Sequence, residues 1–188
     1  MKRVLFLIIG AILTTSVFAQ IVRQNEQFKT VSVINNKVIF IKEVAVNKTD
    51  KEKNYSILKE WGRENYGKDP FISSIRYDNR KKEILANSRV ELILPVNSSG
   101  LREKMVMRFR VNGFLSEDKC VIEIEDISFL SGNSGNKNLP RVIRAEEFIT
   151  NEKLAIEDDL AELRLNTKRS VLYFLNTLGK DFEKQFGH

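Results

Sequence analysis

The hydrophobic pattern of the chain predicts that order begins near Lys37 with a β-strand. Residues 38–46 are rich in β-branched side chains, and the first half of this run is apolar on both faces. Such a pattern is typical of a strand that lies well inside a sheet. Residues 20–36 are polar and weakly patterned, so we expect a flexible leader there.

The next segment has the period of an amphipathic helix. Thr49 and Glu52 have the spacing of a capping box, and Gly67 followed by Asp69-Pro70 supplies a stop signal. The spacing therefore predicts a helix over residues 49–66. Its apolar stripe, which we expect to face a sheet, consists of Ile57, Leu58 and Trp61, with Tyr55 and Tyr66 at the ends.

From residue 71 to residue 130 apolar residues alternate with polar ones, which predicts four antiparallel strands joined by turns. The strands should form a meander with one apolar and one polar face. A change of parity at Glu125-Asp126 predicts a β-bulge in the last strand. The expected inward positions are Phe71, Ser73, Ile75 and Tyr77; Ile84, Ala86, Ser88, Val90, Leu92 and Leu94; Met105, Met107, Phe109 and Val111; and Cys120, Ile122, Ile124, Ile127 and Phe129.

The last hairpin of this meander has a predicted register. A turn at Ser116-Glu117 would place Arg108 opposite Glu125 and Arg110 opposite Glu123. Such cross-strand ion pairs contribute about 0.2–1 kcal/mol each. We therefore expect these pairs to tune the register of the hairpin more than they hold the fold.

The C-terminal part of the chain is predicted to be helical. Residues 131–144 form a turn-rich loop, and residues 145–188 carry an apolar stripe at helical spacing. Either Asn166 or Thr167 caps a second helix, or one long helix continues through them. The stripe consists of Leu154, Ile156, Leu160, Leu163, Val171, Leu172, Leu175, Leu178, Phe182 and Phe186.

The predicted order is strand, helix, four-strand meander and terminal helix, an α+β fold in which the C-terminal helix or helices pack on one face of the sheet. This order matches the fold described as TATA-binding-protein-like. The features that carry a resemblance are residues 38–46 leading into Leu58-Lys59-Glu60-Trp61, then Ile75-Arg76-Tyr77-Asp78, Met107-Arg108-Phe109 and Cys120-Val121-Ile122-Glu123-Ile124.

With these features the chain resembles a family of exported bacterial proteins that carry a domain of unknown function with this fold. The resemblance covers residues 37–130. It rests on packing residues without a catalytic signature, so it implies a fold and no functional residue. The name of the fold does not imply binding to nucleic acid, because basic and acidic residues are interleaved along the chain.

The N-terminus reads as a secretory signal. Lys2 and Arg3 precede an apolar run over residues 4–13, and small residues lead to a cleavage site after Ala19. The apolar run is too short to span a membrane, so we expect an exported protein, periplasmic or secreted, whose mature chain has no transmembrane span. The predicted organisation is a signal peptide over 1–19, a leader over 20–36, the α+β domain over 37–130, a loop over 131–144 and a helical segment over 145–188.

The composition limits the kinds of functional site that the chain can form. Its 188 residues suit one domain, and 42% hydrophobic with 30% charged residues is close to a soluble globular average. Loss of Lys2 and Arg3 with the signal lowers the formal net charge from +6 to +4. One cysteine, Cys120, and one histidine, the terminal His188, exclude an internal disulfide, a Cys/His zinc site and a histidine-based catalytic site.

The remaining candidate chemistry is a set of carboxylates. Glu123 and Glu125 lie two residues apart on one strand, with Asp118 and Asp126 nearby, and paired carboxylates serve glycoside hydrolases. The predicted cross-strand arginines would hold both glutamates ionised, so we expect no catalytic, cofactor-binding or metal-binding residues. Cys120 falls in phase with inward residues, which indicates a buried small hydrophobe.

The sequence therefore favours an exported, non-enzymatic binding or accessory module of the bacterial envelope, acting through a sheet face, an edge or the C-terminal helix on an unspecified envelope protein. The alternative is a carrier of an apolar small molecule between sheet and C-terminal helix. A carboxylate-only hydrolase is the third hypothesis. The candidate ligand-lining residues of the carrier are Trp61, Met105, Met107 and Phe109, with Ile84, Val90 and Leu175 beside them.

Overall fold

A computed structural model describes residues 28–131 and 142–187 of the chain. The predicted signal peptide, leader residues 20–27, most of the predicted loop and His188 lie outside these residues. The strands are β1 (Val33–Ile34), β2 (Lys37–Val38), β3 (Phe40–Ala45), β4 (Ser73–Asp78), β5 (Glu83–Val96), β6 (Arg102–Ser116), β7 (Lys119–Ser131) and β8 (Val142–Arg144). The α-helices are α1 (Lys51–Tyr66), α2 (Asn151–Leu154) and α3 (Ala161–Gln185).

The described strands form one antiparallel sheet with a small hairpin beside it. The order in the sheet is β3-β7-β6-β5-β4, with β8 paired to β7, while β1 and β2 pair with each other. The helices α1 and α3 pack on the apolar face of the sheet, and Trp61 of α1 contacts Phe182 of α3 with ring centroids 5.0 Å apart. The predicted α+β architecture, with a four-strand meander and helices on one face, is therefore confirmed.

The first strand occupies a different place from the predicted one. β3 lies at the end of the sheet order and not well inside it. Its inward residues Phe40 and Val44 are buried, and Ile41 on the other face is half-buried. An apolar pattern on both faces indicates that both faces of the strand are covered. It does not indicate whether both edges of the strand pair with neighbouring strands.

Residues that precede Lys37 also contact the rest of the fold. The backbone N–H of Phe28 donates to Oδ1 of Asn176 at 2.6 Å, and Nδ2 of Asn176 donates to the Phe28 carbonyl at 3.0 Å. The Phe28 ring packs edge-on against Phe40. The side-chain amide of Asn176 on α3 therefore pairs with both backbone groups of Phe28, as the backbone of a neighbouring strand would.

Helix α1 begins by a different cap from the predicted capping box. Oδ1 of Asn47 accepts a hydrogen bond from the backbone N–H of Thr49, and one turn of 3₁₀-helix precedes α1. Glu52 pairs instead with Lys82. The helix ends at Tyr66, with Gly67 as its C-cap, as predicted.

The register of the last hairpin differs from the predicted one by two residues. Ser116 pairs with Lys119 across a two-residue turn, so Arg110 faces Glu125, Asn112 faces Glu123 and Arg108 faces Ser128. A shift of two residues keeps every side chain on its predicted face. The predicted bulge is present: the register shifts at this point, and Asp126 has a left-handed backbone with φ of 51°.

The C-terminal segment is less helical than predicted at its start. Residues 142–144, the end of the predicted loop, form β8 instead. Within the predicted helical segment a turn of 3₁₀-helix and the short α2 come first, and the long helix begins only at Ala161. Arg164 fixes this entry by donating to the carbonyl of Ile156 and pairing with Asp158 at 2.7 Å. The helix then continues through Asn166 and Thr167, so neither residue caps a helix, and the segment holds the short α2 and the long α3. Among the described residues, none of the helices has the length and apolar character needed to cross a bilayer.

Candidate functional site

The predicted ligand-lining residues lie in the packed interior. Trp61, Met105, Met107 and Phe109 are all buried in the hydrophobic core between the sheet and the helices. The Trp61 indole N–H donates to Oδ2 of Asp181 at 3.0 Å, which satisfies its polar atom. The structure therefore places these four side chains where they stabilise the contact between α1, α3 and the sheet.

The candidate carboxylates have unequal surroundings. Glu125 lies 3.8 Å from Arg110, whereas Glu123 faces Asn112 and has no arginine across the strand. Burial raises the pKa of Glu123 above its usual range, and the nearby Glu125 adds to this effect. The prediction that both glutamates face arginines is thus wrong, because it depended on the register of the hairpin.

Replacing Glu123 with glutamine is expected to stabilise the fold. Because the folded-state pKa of Glu123 is raised, its ionised form destabilises the native state at neutral pH, and this penalty disappears as the pH falls through the folded pKa. Glu123→Gln should raise the free energy of unfolding at pH 7 by about 0.5 kcal/mol. Urea titrations of variant and wild type should converge below about pH 4, near the ordinary pKa of glutamate. Glu125→Gln, which loses an ion pair, should give no such gain; equal gains from both variants would contradict this assignment.

Cys120 lies in the core, as predicted. It is fully buried on β7 opposite Val44 of β3. Burial raises the pKa of its thiol to about 12. A thiol that stays protonated at neutral pH is a poor nucleophile, so Cys120 acts here as a small hydrophobic side chain.

A groove between β5 and α3 is a more distinctive feature of the surface. Its volume is about 650 Å³, and we call it the edge groove. The lining is mainly apolar, and the exposed Tyr173 and half-buried Phe174 of α3 form one wall. The residues that line it are Val90, Glu91, Leu92, Ile93, Leu94, Pro95, Arg102, Arg169, Ser170, Tyr173, Phe174 and Thr177.

The edge groove runs beside an open stretch of strand. β4 pairs with β5 only up to Ser88, and the N–H of Arg89 then donates to the carbonyl of Ile72. Farther along, the Ser170 hydroxyl donates to the carbonyl of Ile93 at 3.3 Å. Both Arg89 and Ile93 thus direct backbone groups away from β6. Because backbone direction alternates along an antiparallel strand, the N–H and C=O of Glu91 share this direction, and no described group pairs with them.

Sequence patterning did not reveal this site. Val90 and the leucines of β5 alternate as in any half-buried strand, and they were expected to be core residues. What creates the groove is the difference in length between β4 and β5. Element ends are the part of a fold that patterning defines least well.

The strand order, the helices on one face of the sheet and the bulged meander define this chain as a protein of the TATA-binding-protein-like fold class. Residues 40–130 match the model of a family described as a domain of unknown function, DUF4468, with TBP-like fold. This match confirms the predicted resemblance to a family of unknown function with this fold. No curated protein matches the chain.

Two solved structures have a similar fold. One is a TBP-like protein from Parabacteroides distasonis, with 22% identity and a TM-score of 0.69, covering 82% of this chain and 96% of that one. The other is a DUF4468 family protein from Bacteroides ovatus, with 18% identity and a TM-score of 0.68, covering 86% of this chain and 93% of that one. At these identities the similarity concerns the fold.

Proposed function

We propose that this chain is an exported, non-enzymatic binding module of the bacterial envelope, and that it captures an extended, apolar segment of a protein partner in the edge groove. The observation that carries the proposal is the open backbone of Glu91 next to an apolar groove. An unpaired strand edge beside apolar pockets is the arrangement that peptide-binding domains use for strand addition.

The open edge supplies the backbone half of this recognition. Between the last β4 contact at Arg89 and the Ser170 contact at Ile93, the outward groups of β5 have no partner among the described residues. A strand rises about 3.4 Å per residue, so the opening accommodates a segment of roughly four or five residues. Such a segment would continue the antiparallel sheet where β4 stops.

The groove supplies the side-chain half. In an added strand, alternate side chains would point to the inner face of the sheet, where Val90 is half-buried and Tyr173 is 78% exposed. Apolar side chains at those positions would cover the exposed Tyr173 ring and Phe174. An alternating apolar segment therefore fits both the spacing and the chemistry of this site.

Two parts of the proposal, export and a non-enzymatic role, are inferred mainly from the sequence. The predicted secretory signal over residues 1–19 supports export. The lone terminal histidine and the buried, protonated Cys120 support a binding role over catalysis.

Strand addition is tested by a matched pair of substitutions at Glu91. A peptide selected from a phage-displayed random library against the mature chain, residues 20–188, would serve as the probe. Glu91→Pro removes the outward N–H at the centre of the open edge, a position where proline leaves the ladder to β6 intact. Glu91→Ala removes only the exposed ion pair to Lys104. The selected peptide should bind Glu91→Ala as it binds wild type and should bind Glu91→Pro at least tenfold more weakly.

Amide hydrogen exchange gives a second readout of the same proposal. Bound peptide should slow exchange at Glu91 and Ile93, whose N–H groups face outward. Equal peptide affinities of Glu91→Pro and Glu91→Ala, or protection confined to other strands, would refute strand addition. A dimer of the free chain that Glu91→Pro dissociates would show that a second copy occupies the edge instead.

A carrier of an apolar small molecule is the second candidate, because the edge groove is apolar and large enough for such a ligand. The groove involves Val90 of the predicted carrier set, whereas Met105, Met107 and Leu175 lie in the core. The two candidates differ in whether binding requires the backbone N–H of Glu91. A carrier should lose its ligand on Thr177→Glu, which charges the groove, and should bind equally well in Glu91→Pro and Glu91→Ala. Native mass spectrometry of the purified variants detects the retained ligand.

A further inference from the structure

A row of arginines crosses the polar face of the sheet, on the side opposite the helices. Arg89 of β5 lies directly opposite Arg108 of β6, Arg108 lies opposite Ser128 of β7, and Ser128 lies opposite Arg144 of β8. Directly opposed side chains on neighbouring strands have Cβ atoms about 5 Å apart. Two guanidinium groups therefore extend from adjacent positions, and a third lies two strands away in the same row.

This row lacks the acidic partners that several other basic residues of the sheet have. Lys104 pairs with Glu91 and Lys119 pairs with Glu43. Within residues 28–131 and 142–187, none of the carboxylates lies in ion-pair contact with Arg89, Arg108 or Arg144. Like charges directly opposite each other destabilise a sheet. The row thus concentrates positive charge that the described fold does not neutralise.

A recess lies next to this row, and the β-bulge of β7 contributes Asp126 and Ser128 to its lining. Asp126, in its left-handed conformation, reaches Arg110 at 2.7 Å. The Nε of Arg110 is buried and has no hydrogen-bond partner among the described residues. The volume of the recess is about 460 Å³, and we call it the arginine recess. It is lined by Pro70, Phe71, Ile72, Ser73, Ser74, Asn87, Ser88, Arg89, Arg108, Phe109, Arg110, Asp126 and Ser128.

The lining combines charge, hydrogen-bonding groups and an apolar rim. Arg89, Arg108 and Arg110 contribute three positive charges; Asp126 in the lining and Glu125, 3.8 Å from Arg110, contribute two negative ones. Serine and asparagine side chains offer neutral donors and acceptors between them. Phe71, which the sequence placed inward, is instead 86% exposed at the rim, so it is available to contact the carbon skeleton of a ligand.

We propose that the arginine recess binds a small anion that carries two or more carboxylate or phosphate groups. Guanidinium groups pair with both kinds of anion through two parallel hydrogen bonds. The recess volume lies in the range of small-molecule sites. The backbones of β5, β6 and β7 are paired with one another here, so an added peptide strand has no free edge to join. This site is independent of the edge groove.

Calorimetric titration with three probes tests the proposal: citrate, pyrophosphate and acetate, each at the same ionic strength because surface charge interactions are screened by salt. Citrate or pyrophosphate should bind with one site per chain, and acetate at least tenfold more weakly. Arg108→Gln should weaken that binding at least tenfold. Arg76→Gln removes the same charge from an exposed position on the same sheet but outside the recess, and it should change the affinity less than twofold.

Two further variants separate recognition from folding. Because Arg108→Gln relieves repulsion with Arg89, its melting temperature without ligand should equal or exceed that of wild type. Asp126→Asn tolerates the left-handed backbone and removes the competing carboxylate, so it should bind the preferred probe at least threefold more tightly. Equal losses in Arg76→Gln and Arg108→Gln, a lower melting temperature of Arg108→Gln, no gain from Asp126→Asn, or no binding of citrate and pyrophosphate would overturn the proposal.

Discussion

Replacement of Trp61 with alanine is expected to lower the free energy of unfolding by about 3–5 kcal/mol, the range for removal of a large buried aromatic side chain. Trp61 is fully buried, and its ring contacts Tyr66 and Phe182 edge-on at 5.7 Å and 5.0 Å. The indole N–H also donates to Asp181. Loss of this side chain would open a cavity where α1, α3 and the sheet meet. Urea denaturation followed by circular dichroism measures the change.

A phenylalanine at the same position isolates the hydrogen bond. Trp61→Phe keeps an aromatic ring in the core and leaves Asp181, within the described part of the chain, with only the donor Nδ2 of Asn65 at 3.2 Å. We expect a loss of about 1–2 kcal/mol, typical of a hydrogen bond to a charged group together with a small cavity. A loss below about 1 kcal/mol in Trp61→Ala would mean that the two helices are held together elsewhere.

The second large effect is expected at the ion pair between Lys42 and Glu183. Nζ of Lys42 lies 2.5 Å from Oε1 of Glu183, and the two side chains are only 10% and 20% exposed. Lys42→Met would leave the Glu183 carboxylate unpaired between β3 and α3. Removal of one partner from a fully buried ion pair lowers the free energy of unfolding by about 3–5 kcal/mol. Because Glu183 is partly exposed, we expect a loss of roughly 2–3 kcal/mol.

The double variant distinguishes loss of the pair from loss of one partner. Lys42→Met combined with Glu183→Met removes both charges, and its stability should lie within about 1 kcal/mol of wild type. The exposed pair of Lys104 and Glu91 serves as a control, because Lys104→Met should change stability by less than about 0.5 kcal/mol. A double variant as unstable as the single variant would contradict the assignment of the loss to an unpaired charge.

Long periodic elements of this fold were predictable from sequence, and their ends and registers were not. The helix that carries Trp61 and the four strands of the meander appear where hydrophobic periodicity placed them. The bulge at Asp126 was also predicted, because a change of parity reverses the face of every later side chain. These features involve many residues that share one physical requirement, the burial of one face.

The pairing of strands depends on fewer residues. Whether Arg110 meets Glu123 or Glu125 is decided by the length of a single turn, since both registers bury the same side chains. β8 has three residues, too few for any periodic signal. Residues 145–160 carry apolar side chains that suit a helix, yet Ala145, Phe148 and Ile149 are buried from a 3₁₀ turn and the segment after it.

Neither proposed site was predicted, and both depend on such local details. The edge groove exists because β4 ends before β5 does. The arginine recess exists because the register sets Arg89 against Arg108 and the bulge lifts Asp126 toward Arg110. In the sequence these arginines appeared only as the polar half of an ordinary alternating strand.

The shortness of the open edge of β5 has a consequence for solubility. Exposed sheet edges are the places where folded chains stack into aggregates. Here the Ser170 hydroxyl already occupies the Ile93 carbonyl, and Pro95 has no N–H to donate. A neighbouring molecule would find only a few free backbone groups on this stretch, which limits how far copies of the chain can pair through it. This stretch of β5 is therefore a poor template for the repeated pairing that builds fibrils.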